Sequence, residues 1–238
     1  MLRTLFALLD LLPFGARRQL IRWMLDRIWS HYTTTHLTGR ENLPEGPALF
    51  ICNHLSNADG VTLFRALRPR QVFFLAGVKL QETVMTRVVA QAMDTIPIRP
   101  GSPDVEALKR AVDTLRHGKS VLIFPEGTRS RTGALIRAKK GAGLIARRAG
   151  VPIVPLALTG TEKLLPIDEA NMGGEKIQRA DLTVRIGRPF TVADLNVVAA
   201  EGEDERQALA DAMMRRVAEL LPPEYQGVYR EHATASSQ

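Results

Sequence analysis

The sequence predicts an α/β fold: a mixed, mostly parallel sheet flanked by helices, with a separate helical element at the N-terminus. Two observations carry this. From about Leu37 onward, short β runs alternate with segments of helical periodicity, the pattern of strand–helix–strand units. Before that point, residues 1–35 differ in composition: apolar residues interleave with arginines, and both tryptophans of the chain lie there. Hydrophobic residues fill 45% of the 238 positions, so one domain can bury a sizeable core.

Residues 1–35 read as two short helices broken near Pro13–Gly15. Ala48–Asn53 reads as a buried strand, Gly60–Leu67 as a helix, Val72–Ala76 as a strand, Val84–Ala92 as a helix and Thr95–Ile98 as a short strand. The next helix has Ser102 to cap it, Pro103 in its first turn and Gly118 to end it. Its apolar face is Val105, Leu108, Val112 and Leu115. Val121–Phe124 is a strand, and Leu144–Arg148 lies on a helix closed by Gly150. Val151–Leu158 is a strand with two prolines; proline gives no ladder donor, which predicts an edge or a bulge. Leu182–Ile186 is a further strand and Asp204–Leu221 a final helix. The chain divides into residues 1–35, an α/β domain over 36–222 and a polar, loose tail over 223–238.

A net charge of +7 favours anionic partners: nucleic acid, acidic lipid or phosphorylated substrates. The single cysteine, Cys52, excludes a disulfide framework, fits a reducing compartment and, flanked by apolar residues, reads as core. No apolar run reaches the roughly 18 residues of a spanning helix. The nearest, Leu5–Phe14, is interrupted by Asp10 and Pro13 and lacks a signal-cleavage pattern. Arginines and tryptophans beside an apolar face in residues 1–35 fit a helix lying in a lipid interface. The plain alternative is a helical pair packed on its own domain, with its arginines reaching solvent.

Four strings carry the chemistry. In Asn53–Gly60, at a strand end where α/β folds place their sites, Asp59 can curl back onto the His54 imidazole. A carboxylate on one ring nitrogen fixes the tautomer and frees the other nitrogen to take a proton from a hydroxyl. In Phe124–Ser130, Arg129 can grip a phosphate with two parallel hydrogen bonds, and Glu126 can bind an acceptor hydroxyl or orient Arg129. From Arg129 to Arg148 there are seven basic residues and no acidic one, a candidate wall for a phosphate, coenzyme A or an anionic bilayer. In Thr95–Pro100, Arg99 opens a loop; it and Lys79 are each a candidate second phosphate clamp. Val151–Leu158 either shapes an acyl or acceptor pocket or is plain core.

In order and spacing these strings resemble the blocks of the glycerolipid acyltransferase family, over roughly residues 37–190. Asn53–Asp59 resembles its N-H-x-S-x-x-D block and Phe124–Ser130 its F-P-E-G-T-R-S block; Ile96–Arg99 and Val151–Leu158 resemble the two others. The resemblance implies acyl transfer from acyl-CoA or acyl carrier protein to the sn-2 hydroxyl of 1-acylglycerol-3-phosphate, giving phosphatidic acid. His54 would be the base and Asp59 its holder; Lys79, Arg99, Glu126, Gly127, Thr128 and Arg129 would contact substrate. It implies no metal or redox cofactor, and attachment through residues 1–35 to an anionic membrane on the cytoplasmic face. A different lysophospholipid or an aminolipid acceptor is the alternative.

Rival readings are weaker. A serine esterase lacks its G-x-S-x-G elbow here. Gly141–Ala146 mimics a dinucleotide fingerprint but follows a basic loop instead of a strand. The five histidines are scattered and no cysteine pair exists, so metal binding has little support. A non-catalytic basic protein binding membrane or nucleic acid fits the charge, but 5% aromatics and no nucleic-acid motif argue against nucleic acid.

Overall fold

Burial on both faces dictates the sequence of the central strands. Leu49 and Ile51 point to one side of the sheet, Phe50 and Cys52 to the other, and all four are fully buried, so the run is apolar throughout. The computed structural model describes residues 12–77, 89–99, 104–167, 175–195, 197 and 204–230. Helix α1 (Phe14–Tyr32) leads directly into β1 (Thr33–Thr38), and β2 is Leu49–Cys52. Then come α2 (Asp59–Ala66), β3 (Val72–Gly77), β4 (Asp94–Ile98), α3 (Val105–Arg116), β5 (Ser120–Ile123) and α4 (Gly141–Ala149). The chain continues through β6 (Ile153–Thr159), a single turn α5 (Thr161–Leu164), β7 (Ala180–Ile186) and α6 (Glu205–Ala218). The strands form one sheet in the order β1-β7-β6-β2-β5-β3-β4, parallel except for the β6–β7 pair.

Helices cover both faces. Helices α1 and α2 pack Ile21, Leu25, Val61 and Leu63 over Phe50 and Leu122. Helices α3, α4 and α6 pack Leu115, Ile145 and Met213 over Leu49, Ile51 and Val121. Helix α4 comes so close to α6 that a Cβ on Gly143 would lie 2.4 Å from the Arg206 carbonyl oxygen. The neighbouring strands β2 and β5 therefore send their chains to opposite faces, α2 to one and α4 to the other. Such a divergence leaves a crevice at the C-terminal strand ends.

Several expectations are corrected. Of the edge or bulge that the prolines of 151–158 predict, the bulge is what the structure holds, and the edge is not: β6 lies inside the sheet, between β2 and β7. Pro155 sits where the partner carries an extra residue: from Ile153↔Phe190 to Leu156↔Ile186 is three steps on one strand and four on the other. Its missing N–H falls in that bulge. Strand β1 is unforeseen: its mostly exposed, threonine-rich run lacks an alternating apolar pattern, and it crosses the division set between residues 35 and 36. Helix α3 is capped by Asp104, whose side chain accepts from Ala107 N; Ser102 and Pro103 lie outside the described residues. The first expected N-terminal helix and most of Val84–Ala92 also lie outside them. The tail is not loose throughout. Pro223–Tyr225 and Gly227–Tyr229 form 3-10 turns, and Tyr229 is only 4% exposed.

Helix α1 packs one face on the domain and leaves an apolar face exposed. Its inner face is pinned to α2, where Trp29 Nε1 donates to Thr62 Oγ1 (3.1 Å). Arg18 and Arg22 do not reach for solvent. Arg18 pairs with Asp94 (2.8 Å), and Arg22 donates to Ala92 O (2.9 Å) and lies over the Phe64 ring. The outer face leaves Leu20, Trp23 and Ile28 exposed, with Arg27 among them.

Candidate active site

The exits of β2 and β5 are neighbours in register, Ile51 beside Ile123, so the residues three further along, His54 and Glu126, meet. Asn53 first extends the sheet. Its Nδ2 donates to Leu158 O and its Oδ1 accepts from Leu158 N, both at 2.8 Å, replacing one rung of the β2–β6 ladder by a side-chain amide. A side-chain amide offers a donor and an acceptor side by side in one planar group, as a strand's backbone does. His54 then turns upward, and Asp59, at the start of α2, reaches back to it.

His54 Nδ1 lies 2.7 Å from Asp59 Oδ2. A carboxylate oxygen accepts, so Nδ1 carries the hydrogen and Nε2 holds the free lone pair. The same Oδ2 accepts from Leu55 N (2.6 Å) and Ser56 N (3.0 Å), which locks the fully buried carboxylate in place. The imidazole stacks on Phe124, with centroids 4.1 Å apart and planes at 14°. Among the described residues nothing bonds to Nε2, and the side chain is 21% exposed. A nitrogen held in this way can take a proton from a hydroxyl brought to the rim.

Glu126 is the largest departure from expectation. Its side chain is fully buried, so it does not face an acceptor or orient Arg129. Oε1 accepts from His54 N (2.7 Å) and Oε2 from Ile136 N (3.0 Å). Ser130 N donates to His54 O (2.7 Å), so the second motif holds both backbone polar groups of His54. Burial pushes the Glu126 carboxyl up to about 7; the two amide donors pull it back, and nearby Asp59 adds to the rise. Gly127 completes the turn at φ +68°, a left-handed conformation that favours glycine, and its N–H returns to Phe124 O (3.0 Å). Gly127 and Thr128 are exposed at the rim.

Arg129 lies beside Glu175 (3.2 Å), which also accepts from Asn57 Nδ2 (2.9 Å). Sequence reasoning missed Glu175, which no motif marks, and it missed the Phe124 stack. Arg99 is exposed at the end of β4, three strand spacings from β2, about 14 Å at about 4.8 Å each, so the fold does not bring it to His54. Lys79 lies outside the described residues. The basic run after Arg129 is not a bare wall. Arg137 pairs with Asp211 (2.9 Å), Arg147 with Glu205 (2.9 Å) and Lys140 with Asp204 (3.5 Å), all three acids coming from α6 and its cap. Cys52 is completely buried; desolvation, with Asp59 and Glu126 nearby, pushes its thiol well up, so it is held protonated. Among the described residues no cluster of His, Cys, Asp and Glu could hold a metal.

Two predictions follow from this geometry. Asp59→Asn keeps the volume, but an amide N–H turned toward Nδ1 reverses the tautomer and leaves the Leu55 and Ser56 amides facing a donor; turnover is expected to fall about a thousandfold or more, and the melting temperature to fall with the protein still folded. Steady-state rates and thermal melts on the same preparation check this, and near-normal turnover would refute the pairing. Glu126 has its folded pKa above its unfolded one, so between pH 4.5 and 7 the folded state binds more protons and stability declines as pH rises. The stabilisation lost across that window is roughly 3 kcal/mol. Melts at pH 5 and pH 7 are expected to show a steeper decline in wild type than in Glu126→Gln; equal slopes would count against it.

Comparison with known proteins agrees with these motifs. The family model described as Acyltransferase matches residues 34–159. A chloroplastic 1-acyl-sn-glycerol-3-phosphate acyltransferase of Brassica napus is 29% identical over 211 residues, covering 85% of this chain and 59% of the relative. A lyso-ornithine lipid O-acyltransferase of Pseudomonas aeruginosa is 30% identical over 174 residues, covering 72% of this chain and 64% of that one. The chain thus spans less than two thirds of the length of these relatives. A solved 1-acyl-sn-glycerophosphate acyltransferase of Thermotoga maritima shares the fold, with a TM-score of 0.60 at 22% identity over 87% of this chain and 81% of its own. With the family model spanning more than half of its length, this chain belongs to the Acyltransferase family.

Proposed function

We propose that the protein moves a fatty acyl group from acyl-CoA or acyl carrier protein to the sn-2 hydroxyl of 1-acylglycerol-3-phosphate, forming phosphatidic acid. The observation that carries the reading is the His54–Asp59 pair with a free Nε2, beside a cysteine too deeply buried to serve as a nucleophile. Nε2 takes the hydroxyl proton as the oxygen bonds to the thioester carbonyl carbon. The C–S bond then breaks, and the departing thiolate takes the proton back from His54. An activated thioester needs no enzyme nucleophile, only a base and a held acceptor. Gly127, Thr128 and Arg129 line the rim where an acceptor phosphate would sit, the phosphate displacing Glu175 from Arg129. The names of the relatives support this acceptor. Glu175 favours one alternative, an acceptor bearing an ammonium group, in line with the lyso-ornithine lipid relative.

The outer face of α1 is the proposed membrane contact. Trp23, 61% exposed, and Leu20 lie one turn apart beside Arg27, an arrangement suited to the headgroup region of an anionic leaflet. Among the described residues no helix is long and apolar enough to cross a membrane. Attachment by this face on the cytoplasmic side would keep the acceptor lipid in its bilayer.

Purified protein with one acyl-CoA is expected to release thiol with 1-acylglycerol-3-phosphate and not with lyso-ornithine lipid or without acceptor. Release without acceptor would mark a thioesterase and overturn the reading. Replacing both Leu20 and Trp23 by Ser is expected to cut co-sedimentation with anionic vesicles while leaving the melting temperature in place; unchanged sedimentation would exclude this face as the contact.

A further inference from the structure

Residues 134–139 bond to the Pro125–Glu126 turn beside the site, yet they form no helix or strand. They supply Ile136 N to Glu126 Oε2 (3.0 Å) and Lys139 N to Pro125 O (2.8 Å). Such a segment must be ordered by something outside itself, because fixing each residue costs backbone entropy that it does not recover in a helix or a strand. The C-terminal turns do this. Leu135 N donates to Tyr225 O (2.9 Å), and Val228 N donates to Leu135 O (3.2 Å). Ala138 N donates to the Tyr229 hydroxyl (2.9 Å), and Gln207 Nε2 donates to Ala138 O (2.9 Å).

These contacts converge on Asp211, which is only 6% exposed. It accepts from the Tyr229 hydroxyl (2.7 Å), Gln207 Nε2 (3.1 Å) and Arg137 Nε (3.0 Å). A buried carboxylate with three donors, one of them charged, is compensated and fixes the orientation of all three. The chain of contacts is continuous: Asp211 orients Tyr229 and Gln207, these hold both backbone polar groups of Ala138, and two residues away Ile136 holds Glu126. Glu126 in turn holds the His54 amide (2.7 Å).

We propose that Tyr229, Gln207 and Asp211 are positioning residues for the His54 site, so that the C-terminal turns belong to the active-site scaffold and are more than a surface anchor. None of the three touches the imidazole; they act through the Leu135–Lys139 segment and Glu126. The kinetic consequence rests on the acyl-transfer reading, whereas the structural consequence does not.

The test is Tyr229→Phe, which removes one hydroxyl and keeps the ring. Amide hydrogen exchange followed by NMR is expected to quicken about tenfold at Ile136 and His54, the effect of losing one buried hydrogen bond, while the β2 amides of Leu49–Ile51 keep their wild-type rates. In the same variant kcat is expected to fall about tenfold with the KM for acyl-CoA unchanged. In a Glu126→Gln background the same substitution is expected to have little further effect on kcat, because the path has already been cut. Unchanged exchange at His54, uniform quickening across the sheet, or equal kcat losses in both backgrounds would each overturn the proposal. If Tyr229→Phe does not fold, Gln207→Met, which removes the donor to Ala138 O at similar volume, is read by the same criteria. The exchange measurement needs no substrate, so a wild type without transferase activity would sink the acyl-transfer reading and leave this one to be decided by exchange.

Discussion

Glu126 joins two chain exits that the sheet brings side by side but does not itself connect. Beyond Ile51 and Ile123 the β2–β5 ladder stops, because the two chains diverge to opposite faces. One carboxylate then replaces the ladder, taking the His54 amide on one oxygen and the Ile136 amide on the other. A glutamine of the same size would offer an oxygen to one of these donors and an N–H to the other, which would be left buried and unpaired. The cost of this design is a carboxyl deep enough for its pKa to rise to about 7. His54 therefore has its backbone held from the β5 side and its ring held by Asp59 on the α2 side. Neither clamp alone would fix both the position and the tautomer of the imidazole.

The rest of the molecule can be understood from what those two clamps require. Asp59 must begin a helix on one face, so α2 lies there, and α1 covers it through Ile21, Leu25 and Trp29. The Glu126 side needs an irregular loop ordered from outside, and α6 with the C-terminal turns supplies the order on the opposite face. The acids of α6 and its cap also meet the cations that follow Arg129. A run that reads in one dimension as a field of seven positive charges is partly neutralised in three dimensions by Asp204, Glu205 and Asp211. At the rim, Arg129 is paired in its turn with Glu175.

Helix α1 shows why composition alone leaves a helix's role open. Its apolar residues serve two faces. One face is consumed by packing on α2, and two of its arginines turn inward to Asp94, Ala92 O and Phe64. The apolar surface left over, around Trp23, is what could meet a lipid interface, and its extent is set by which residues the domain has already used.

The sequence by itself determined the fold class, most of the strands and the location of the site. Buried strands must be apolar on both sides, and the N-H-x-S-x-x-D and F-P-E-G-T-R-S strings place a histidine, the carboxylate that holds it and a glycine turn at strand exits. Local chemistry of that kind is written in local order. Only the tertiary structure decided what depends on distant neighbours. It made Glu126 an inward brace, because its partners at residues 54 and 136 come from two different chain segments. It set Arg99 three strands from His54, because the chain order β2-β3-β4-β5 is not the order of strands in the sheet. It placed the proline-bearing β6 inside the sheet, because a bulge in the partner strand removes the need for the missing N–H. It also turned a polar C-terminal stretch into a support for the site, through a tyrosine and an aspartate 18 residues apart that nothing in their local sequence pairs.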